Sequence, residues 1–171
     1  MKKNSLENYG YYIAGFTDGE GSFNVSFRKR DDFLIGWKIT PVFNISQDEQ
    51  SVLVWIKKIL NCGTIRFRKD GVWVFEVENK DDLQHIIIPF FKKFHFISHK
   101  KTLQFNKFVK IFELIQQTPS LTLAHVAQIL QWRNESQTKK RSHKYSDQDI
   151  CARAELYWNQ NQQIIQQKNG E

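Results

Sequence analysis

Residues 13–21 of the chain read IAGFTDGEG and decide the fold. The apolar segment Tyr9–Phe16 leads into them and is long enough for about two helical turns. Gly15 and Gly19 share one face of this predicted helix, where the missing Cβ atoms let a second helix approach closely. Glu20 follows at the helix end, between two glycines, where a metal ion or a phosphate can reach its carboxylate. The stretch therefore predicts a helix with a close-packing face and an acidic end.

The hydrophobic period changes from helical to alternating directly after this helix. In residues 22–30 the odd positions are apolar and the even positions are polar or cationic, which predicts a half-buried strand. A turn at Asp31 and Asp32 leads into a second strand over residues 37–45, where Pro41 predicts a free edge or a bulge. The inward positions of the two strands are Phe23, Val25, Phe27, Trp37, Ile39, Phe43 and Ile45.

A helix and a hairpin follow. Ser46 and Glu49 have the spacing of a capping box, which predicts a helix start at this serine. An Asp-Gly turn signal within residues 69–71 pairs a strand over residues 64–68 with one over residues 73–77. The inward positions of this hairpin are Ile65, Phe67, Trp73, Phe75 and Val77.

The remaining chain is predicted to be helical. Helices are expected over about 81–94, 98–117 and 121–133, and a last one begins at Asp147 and Asp149, because acids suit the first turn of a helix. The element order predicts an α+β fold, a four-stranded antiparallel sheet with helices on one face. The expected organisation is a single domain over residues 1–171, with a core at about 7–118 and a helical, basic extension at about 119–171.

Composition favours a polyanionic partner. The chain has a formal charge of +7 and a pI near 9.4, which suits nucleic acid better than a neutral metabolite. Cys62 and Cys151 are too few and too far apart for a disulfide framework or a cysteine metal site. The longest apolar run, 86–91, is too short to span a membrane, and neither a signal peptide nor a transit peptide is expected.

The outward face of the predicted sheet is cationic and rich in amides and hydroxyls. Arginine and lysine pair with guanine, asparagine with adenine and glutamate with cytosine, so such a face is suited to reading base edges in a major groove. The alternative is an ordinary solvated face. Val42 and Val74 share the outward side with the polar positions, which are Asn24, Ser26, Arg28, Arg30, Lys38, Thr40, Asn44, Arg66, Arg68 and Glu76.

Residues 13–21 resemble the LAGLIDADG motif of the homing endonucleases, and the chain carries one copy. The resemblance implies an αββαββα core, dimerisation through the motif helices and cleavage of long, near-palindromic DNA sites with magnesium-type ions. A single motif also needs a second protomer to cover its small-residue face, which gives a two-fold homodimer. The interface positions expected on the motif helix are Tyr12, Ala14, Gly15 and Gly19.

The resemblance also implies roles for individual residues. Glu20 matches the metal-binding acid of the motif, and the carbonyl of Gly19 matches a second metal contact. Gln47 resembles the polar residue that orders water around the metal ions. Lys101 resembles the solvent-ordering lysine, with Lys100 as the alternative. The opposing interpretation is that the glycines serve packing and the turn, and that Asp18 and Glu20 are solvated charges.

Three further features bear on the site. Related single-motif proteins often carry a basic residue where this chain has Ser51, which leaves part of the catalytic solvent network unassigned. His95 and His99 are four apart, but an expected break between two helices argues against a zinc site on one helix face. A basic run resembles the loop that contacts the DNA backbone in dimeric members, and it consists of Lys139, Lys140 and Arg141, with Lys144. The alternative interpretation is a run of solvated charges.

The resulting hypothesis is a homodimeric, sequence-specific, double-strand DNA endonuclease that acts in group I intron homing and leaves short 3′ overhangs. Two or three Mg²⁺ ions are expected per dimer, with Mn²⁺ as a substitute and Ca²⁺ supporting binding only. The alternatives are an RNA-splicing maturase that binds its own intron RNA and a DNA-binding regulator that does not cut. Lysine, asparagine, isoleucine and phenylalanine are abundant, which fits an AT-rich organellar genome in a chloroplast or a mitochondrion.

Overall fold

A computed structural model describes residues 3–135 and 144–169 of the chain. The elements in chain order are α1 (Lys3–Glu20), β1 (Gly21–Lys29), β2 (Trp37–Gln47), α2 (Gln50–Leu60), β3 (Thr64–Phe67), β4 (Trp73–Val77), α3 (Lys80–Asp82), a π-helical turn (Leu83–Ile87), α4 (Ile88–Lys93), α5 (His99–Gln117), α6 (Leu123–Glu135) and α7 (Asp147–Asn169). This order confirms the predicted succession, and the fold is α+β, as expected. Within the described ranges, no helix is both long and apolar enough to cross a membrane.

The four strands form one antiparallel sheet in the order β1-β2-β4-β3. β2 pairs with β4 from Phe43 opposite Val77 to Gln47 opposite Trp73. The hairpin is also as predicted, because β3 pairs with β4 and Gly71 in the turn has a φ of 85°, a backbone conformation that favours glycine. β2 is an inner strand of the sheet. Its pairing with β4 begins only at Phe43, so the missing N–H of Pro41 removes no hydrogen bond between β2 and β4.

The described chain divides into two compact units. The motif unit contains the residues up to Asn24 together with Pro41–Asn106, and the helical unit contains Val25–Thr40 together with the described residues from Lys107 onward. The long strands β1 and β2 contribute residues to both units. The single-domain organisation stays a prediction.

Phenylalanine rings form the core of the motif unit. Phe23 on β1 stacks on Phe43 of β2 at 5.0 Å between ring centroids, and Phe91 of α4 packs edge-on against both, at 5.5 and 5.2 Å. The inward positions of the strands therefore meet the helices, as the alternating pattern predicts. Gly10 serves the same packing, because a Cβ at this position would lie 2.2 Å from the ring of Phe94.

The helical unit has its own core around Trp37. This ring is fully buried, and its indole N–H donates to the carbonyl oxygen of Ile150 in α7 at 3.0 Å. Phe27 of β1 packs edge-on against it at 6.0 Å, and Ile129 of α6 belongs to the same cluster. Burial of these side chains against α6 and α7 supplies the hydrophobic stabilisation of the unit.

The predicted capping box at Ser46 is wrong. Ser46 lies in β2 opposite Val74, so strand pairing takes precedence over the local cap, and α2 starts only at Gln50. A capping box does occur at the start of α7. There the backbone N–H of Asp149 donates to Ser146 Oγ at 3.1 Å, and the backbone N–H of Ser146 donates to the Asp149 carboxylate at 3.0 Å.

Burial corrects three further side-chain predictions. Phe67 is 59% exposed although its position is inward, because it lies at the hairpin end of the edge strand β3, where its ring packs on Trp73. Val42 and Val74 are buried although they lie on the outward side. The outward face is therefore not polar and open along its whole length.

Candidate functional site

The end of α1 carries the motif acid of the site. Glu20 is the last helical residue and is exposed, and β1 begins at Gly21 without an intervening loop. A Cβ at Gly21 would lie 2.4 Å from Cγ2 of the buried Thr17, so the helix can pass directly into the strand only with glycine at this position. The motif thus fixes the place of Glu20 through tight packing beneath it.

Lys101 reaches the same place from α5. Its side chain is only 9% exposed, and its Nζ donates a hydrogen bond to the carbonyl oxygen of Gly21. Lys100, the alternative in the sequence, is exposed. The structure therefore brings Lys101 to the acidic end of α1. Its catalytic role stays a prediction.

Gln47 is the last residue of β2 and is half-buried. Its Oε1 accepts a hydrogen bond from the backbone N–H of Asp48 at 2.8 Å. That bond holds the amide in place and leaves its NH₂ group as a donor. Ser51 is exposed on α2, where its hydroxyl donates to Glu49.

Asp18 is not the solvated charge of the opposing interpretation. Its carboxylate accepts a hydrogen bond from the backbone N–H of Ser98 at 3.0 Å and another from the Ser98 hydroxyl. Ser98 Oγ in turn accepts from the backbone N–H of Lys101 at 3.1 Å. Because 80 residues separate Asp18 from Ser98, no local sequence signal marks this contact.

The face of α1 predicted to meet a second helix needs one correction. Apart from the adjoining residues and the neighbouring backbone of α1 itself, no heavy atom of the described structure lies within 4 Å of the place that a Cβ would occupy at Gly15 or Gly19, and Tyr12 is 52% exposed. Ala14, by contrast, is 2% exposed and packs inside the motif unit. The uncovered small-residue face therefore consists of the two glycines, because a residue at position 14 points toward the core.

The outward strand positions of the motif unit are partly paired with one another. Arg66 on β3 forms an ion pair with Glu76 on β4 at 3.3 Å, and Arg68 pairs with Asp70 in the turn. Asn44 lies opposite Glu76 in the ladder and is half-buried. Asn24 is also half-buried and accepts a hydrogen bond from Ser22 at 3.1 Å. Arg66 is 52% exposed in this pair, so the ion pair is worth only about 0–1 kcal/mol.

The outward positions of the helical unit differ among themselves. Arg28 and Lys38 are exposed, and Ser26 is half-buried. Arg30 is held by both carboxylate oxygens of Asp32, at 2.8 and 2.7 Å, and this hydrogen bonding raises the pKa of Arg30 and lowers the pKa of Asp32. The hydroxyl oxygen of Thr40 is buried, with no hydrogen-bond partner in the described structure, so it is not presented at the surface.

A cationic cleft of about 530 Å³ lies in the helical unit. Its lining includes Arg28, Lys29 and Lys144. Lys29 and Lys144 both hold their ammonium groups near the ring of Tyr145, at 5.2 and 5.3 Å from its centroid. Sequence patterns missed Lys29 and Tyr145, because the two residues are distant in the chain. The basic run Lys139, Lys140 and Arg141 lies outside the described residues.

Histidines do not assemble a site at the break between α4 and α5. The break itself is as predicted, since α4 ends at Lys93 and α5 begins at His99, so His95 and His99 are not on one helix. Across residues 3–135 and 144–169, no group of three or more histidine, cysteine, aspartate or glutamate side chains could hold a metal ion.

Comparison with known proteins places this geometry in a family. The model of the LAGLIDADG endonuclease family matches residues 13–112. The chain is 33% identical over 126 residues to the probable intron-encoded endonuclease 2 of Neurospora crassa, which covers 71% of this chain and 28% of that protein. It is 35% identical over 75 residues to the DNA endonuclease I-CvuI of Chlorella vulgaris, which covers 43% of this chain and 47% of that protein.

A solved structure supports the same assignment. The archaeal intron-encoded homing endonuclease I-Vdi141I, in complex with DNA, is similar with a TM-score of 0.76 and 27% identity over 88% of this chain and 97% of that one. Since the family match spans more than half of the 171 residues, the chain belongs to the LAGLIDADG endonuclease family. It spans less than half the length of each of the two curated relatives.

Proposed function

We propose that this protein is a sequence-specific double-strand DNA endonuclease that works as a homodimer with Mg²⁺. One observation carries the proposal, namely that an acid and a cation both lie at the end of α1. The carboxylate of Glu20 is exposed there, and the buried ammonium group of Lys101 donates to the carbonyl oxygen of the next residue, Gly21. The acid can bind a metal ion, and the cation can order solvent or stabilise the phosphate, so both groups can assist phosphodiester hydrolysis.

The homodimer rests on α1. Gly15 and Gly19 offer an uncovered surface on which a second backbone fits closely, and Tyr12 adds exposed aromatic area beside it. A two-fold axis at this surface would bring two copies of Glu20 together. Each copy would act on one strand, so we expect a near-palindromic target, and cuts placed across the minor groove would leave short 3′ overhangs.

Oxygen donors at the end of α1 fit a hard divalent cation. The exposed Glu20 carboxylate and the Gly19 carbonyl of each protomer would hold it, a donor set that suits Mg²⁺ or Mn²⁺, with Ca²⁺ supporting binding but not cleavage. Two or three such ions per dimer would supply charge that stabilises the phosphate and lowers the pKa of bound water. Lys101 would donate to ordered solvent near the phosphate, and the Gln47 amide would orient a water molecule through its NH₂ group.

Two sets of side chains would hold the DNA. The outward strand positions other than the buried Thr40 would read base edges, and the cationic cleft and the basic run at Lys139, Lys140 and Arg141 would contact the phosphate backbone. I-Vdi141I, with a similar fold, was solved in complex with DNA, which supports duplex DNA as the partner. The intron-encoded relatives support a role in intron homing, and we extend this to an organellar gene.

A cleavage selection tests the proposal. Purified protein is incubated with a randomised duplex library in Mg²⁺ and separately in Ca²⁺, beside the isosteric variant Glu20→Gln. We expect double-strand breaks at one near-palindromic site with Mg²⁺ only, and a loss of at least about a hundredfold in rate for Glu20→Gln with DNA binding retained. Unchanged cutting by this variant would refute the assignment of Glu20.

The other outcomes identify the rival functions. Binding to a defined duplex without cutting in any divalent metal would favour a DNA-binding regulator. Preference for structured intron RNA over duplex DNA would favour an RNA-splicing maturase of the same fold. Sedimentation of the protein on DNA as a monomer would exclude the homodimer.

A further inference from the structure

Two acids of the motif have different surroundings. Glu20 is exposed at the end of α1, whereas both carboxylate oxygens of Asp18 accept hydrogen bonds from Ser98. These two bonds use two of the roughly four lone-pair sites of the carboxylate and fix its orientation against the start of α5. Asp18 therefore has a different setting from that of Glu20.

Ser98 connects Asp18 to α5. Its hydroxyl donates to Asp18 and accepts from the backbone N–H of Lys101, so both its donor and an acceptor position are used. Its carbonyl oxygen accepts from the backbone N–H of Thr102 at 3.1 Å, which makes Ser98 the cap of the helix. The same serine thus fixes the first turn of α5 and the place of Asp18 against it.

Lys101 links the start of α5 back to the end of α1. It lies in the first turn of α5, and its side chain returns to α1 through the hydrogen bond from Nζ to the Gly21 carbonyl. The chain of contacts runs from Asp18 through Ser98 to Lys101 and back to Gly21, next to Glu20. A shift of the α5 start relative to α1 would therefore change the position of the ammonium group relative to the end of α1.

We infer that Asp18 is a positioning residue for Lys101, acting through the Ser98 cap and without contact to metal or DNA. The inference rests on the proposed function, in which Lys101 serves the cleavage step. It assigns the two motif acids separate tasks, since Glu20 binds the ion and Asp18 sets the distance between the ion and the lysine. A misplacement of about 1 Å at a reacting group can lower a rate about a hundredfold.

Single-turnover cleavage of the selected duplex in Mg²⁺, and duplex binding in Ca²⁺, test the inference. Asp18→Asn places an NH₂ group against one of the Ser98 donors, and Ser98→Ala removes the hydroxyl. Each variant is expected to cut about ten to a hundred times more slowly than the wild type. Its affinity for the duplex is expected to stay within about threefold of the wild-type value. Ser98→Thr keeps the capping hydroxyl and is expected to restore the rate. Wild-type rates for both Asp18→Asn and Ser98→Ala would overturn the inference.

Asn79→Ala controls for the loss of a helix cap in the same unit. The Asn79 side chain caps α3 by accepting from the N–H groups of Asp81 and Asp82, at 2.8 and 3.1 Å. This variant is expected to lower thermal stability about as much as Ser98→Ala while leaving the cleavage rate unchanged. An equal fall in rate would mean that stability alone explains the Ser98 result, and the inference would fail.

A double-mutant cycle with Lys101→Met separates this inference from the proposed function. If Asp18 acts through Lys101, then Asp18→Asn slows the wild type but has no further effect in the Lys101→Met background. A full additional loss in that background would overturn the positioning role while leaving the nuclease intact. Wild-type protein that cuts no duplex at all would instead refute the proposed function.

Discussion

The two units of the molecule hold their most buried cations, Lys101 and Arg133, in different ways. In the motif unit the buried Lys101 is held by a neutral carbonyl oxygen, and Glu20 is exposed at the end of α1. In the helical unit Arg133 is held by the carboxylate of Asp147, and Arg153 by that of Asp31. An ion pair fastens two parts of the chain to each other, whereas an exposed carboxylate such as that of Glu20 is accessible to a ligand.

The pairs of the helical unit join distant parts of its own chain. Arg153 on α7 donates to the Gly36 carbonyl at 2.9 Å and to the Asp31 carboxylate, and Tyr157 donates to the same carboxylate at 2.5 Å. Gly36 has a φ of 66°, and a Cβ there would lie 2.7 Å from the Tyr157 ring. The turn between β1 and β2 is therefore fastened to α7, and this turn begins at Arg30 and ends next to Lys38 on β2.

The largest expected effect on folding concerns Asp147. Asp147→Asn would remove the carboxylate from the buried Arg133, whose guanidinium group also lies 5.1 Å from the Phe27 ring centroid. We expect a loss of about 2 kcal/mol in the free energy of unfolding, less than the ~3–5 kcal/mol typical of a fully buried pair. The expected loss is smaller than for a fully buried pair because the Asp147 side chain is 42% exposed.

Glu20→Gln is the matched control for this variant, since it makes the same change from acid to amide in the motif unit. Chemical denaturation is expected to give a change within about 0.5 kcal/mol, as for an exposed residue. Similar losses for Asp147→Asn and Glu20→Gln would remove the distinction between the two units.

Features set by short-range patterns were predictable from the sequence. The helix–strand junction, the alternating strands and the exposed acid at position 20 all follow from the succession of residues, because hydrophobic period and glycine placement act locally. The hairpin turn at Gly71 is predictable for the same reason.

Features set by competition or by distance were not predictable. Ser46 has the spacing of a capping box, but it pairs with Val74 in the sheet instead of capping a helix. The capping box that does form, at Ser146, was not predicted. The contact between Asp18 and Ser98 depends on how α5 returns to α1, which no local pattern encodes. The pairing of Arg66 with Glu76 likewise depends on strand register.

The cationic cleft is the exception within the helical unit and gives a smaller expected effect. Lys29 and Lys144 approach an aromatic ring, so their charges remain available to a phosphate. We expect the double variant Lys29→Ala/Lys144→Ala to weaken binding to all duplexes alike and to reduce the slope of log K against log salt by about 2, near 0.9 for each lost phosphate contact. Fluorescence anisotropy over a salt series measures the slope.

Lys58→Ala serves as the control for the cleft, because this exposed lysine of α2 belongs to none of the predicted DNA contacts. Its salt slope is expected to equal that of the wild type. A slope that is unchanged in the double variant as well would show that the cleft is not a phosphate site. The cleft cations would then be structural, like the paired arginines of the same unit.

The smallest expected effect is the pH dependence of the Asp31 pair. Hydrogen bonds from Tyr157 and then from Arg153 lower the pKa of Asp31 below its ordinary value of 3.8. Because the folded pKa is the lower one, the unfolded chain takes up a proton first as pH falls, so the contribution is complete above about pH 3.8 and is lost below it. The side chain is 82% exposed, which keeps the contribution small.

Asp31→Asn should therefore be less stable than the wild type at neutral pH, and this difference should shrink as pH falls through the acid range. Tyr157→Phe removes the leading cause of the lowered pKa and should show a weaker form of the same pattern. Denaturation curves at several pH values measure both. If the difference in free energy of unfolding between the wild type and Asp31→Asn stays constant with pH, Asp31 fastens the turn by hydrogen-bond geometry rather than by charge. The helical unit would then rely on a neutral hydrogen bond here, as the motif unit does at the Gly21 carbonyl.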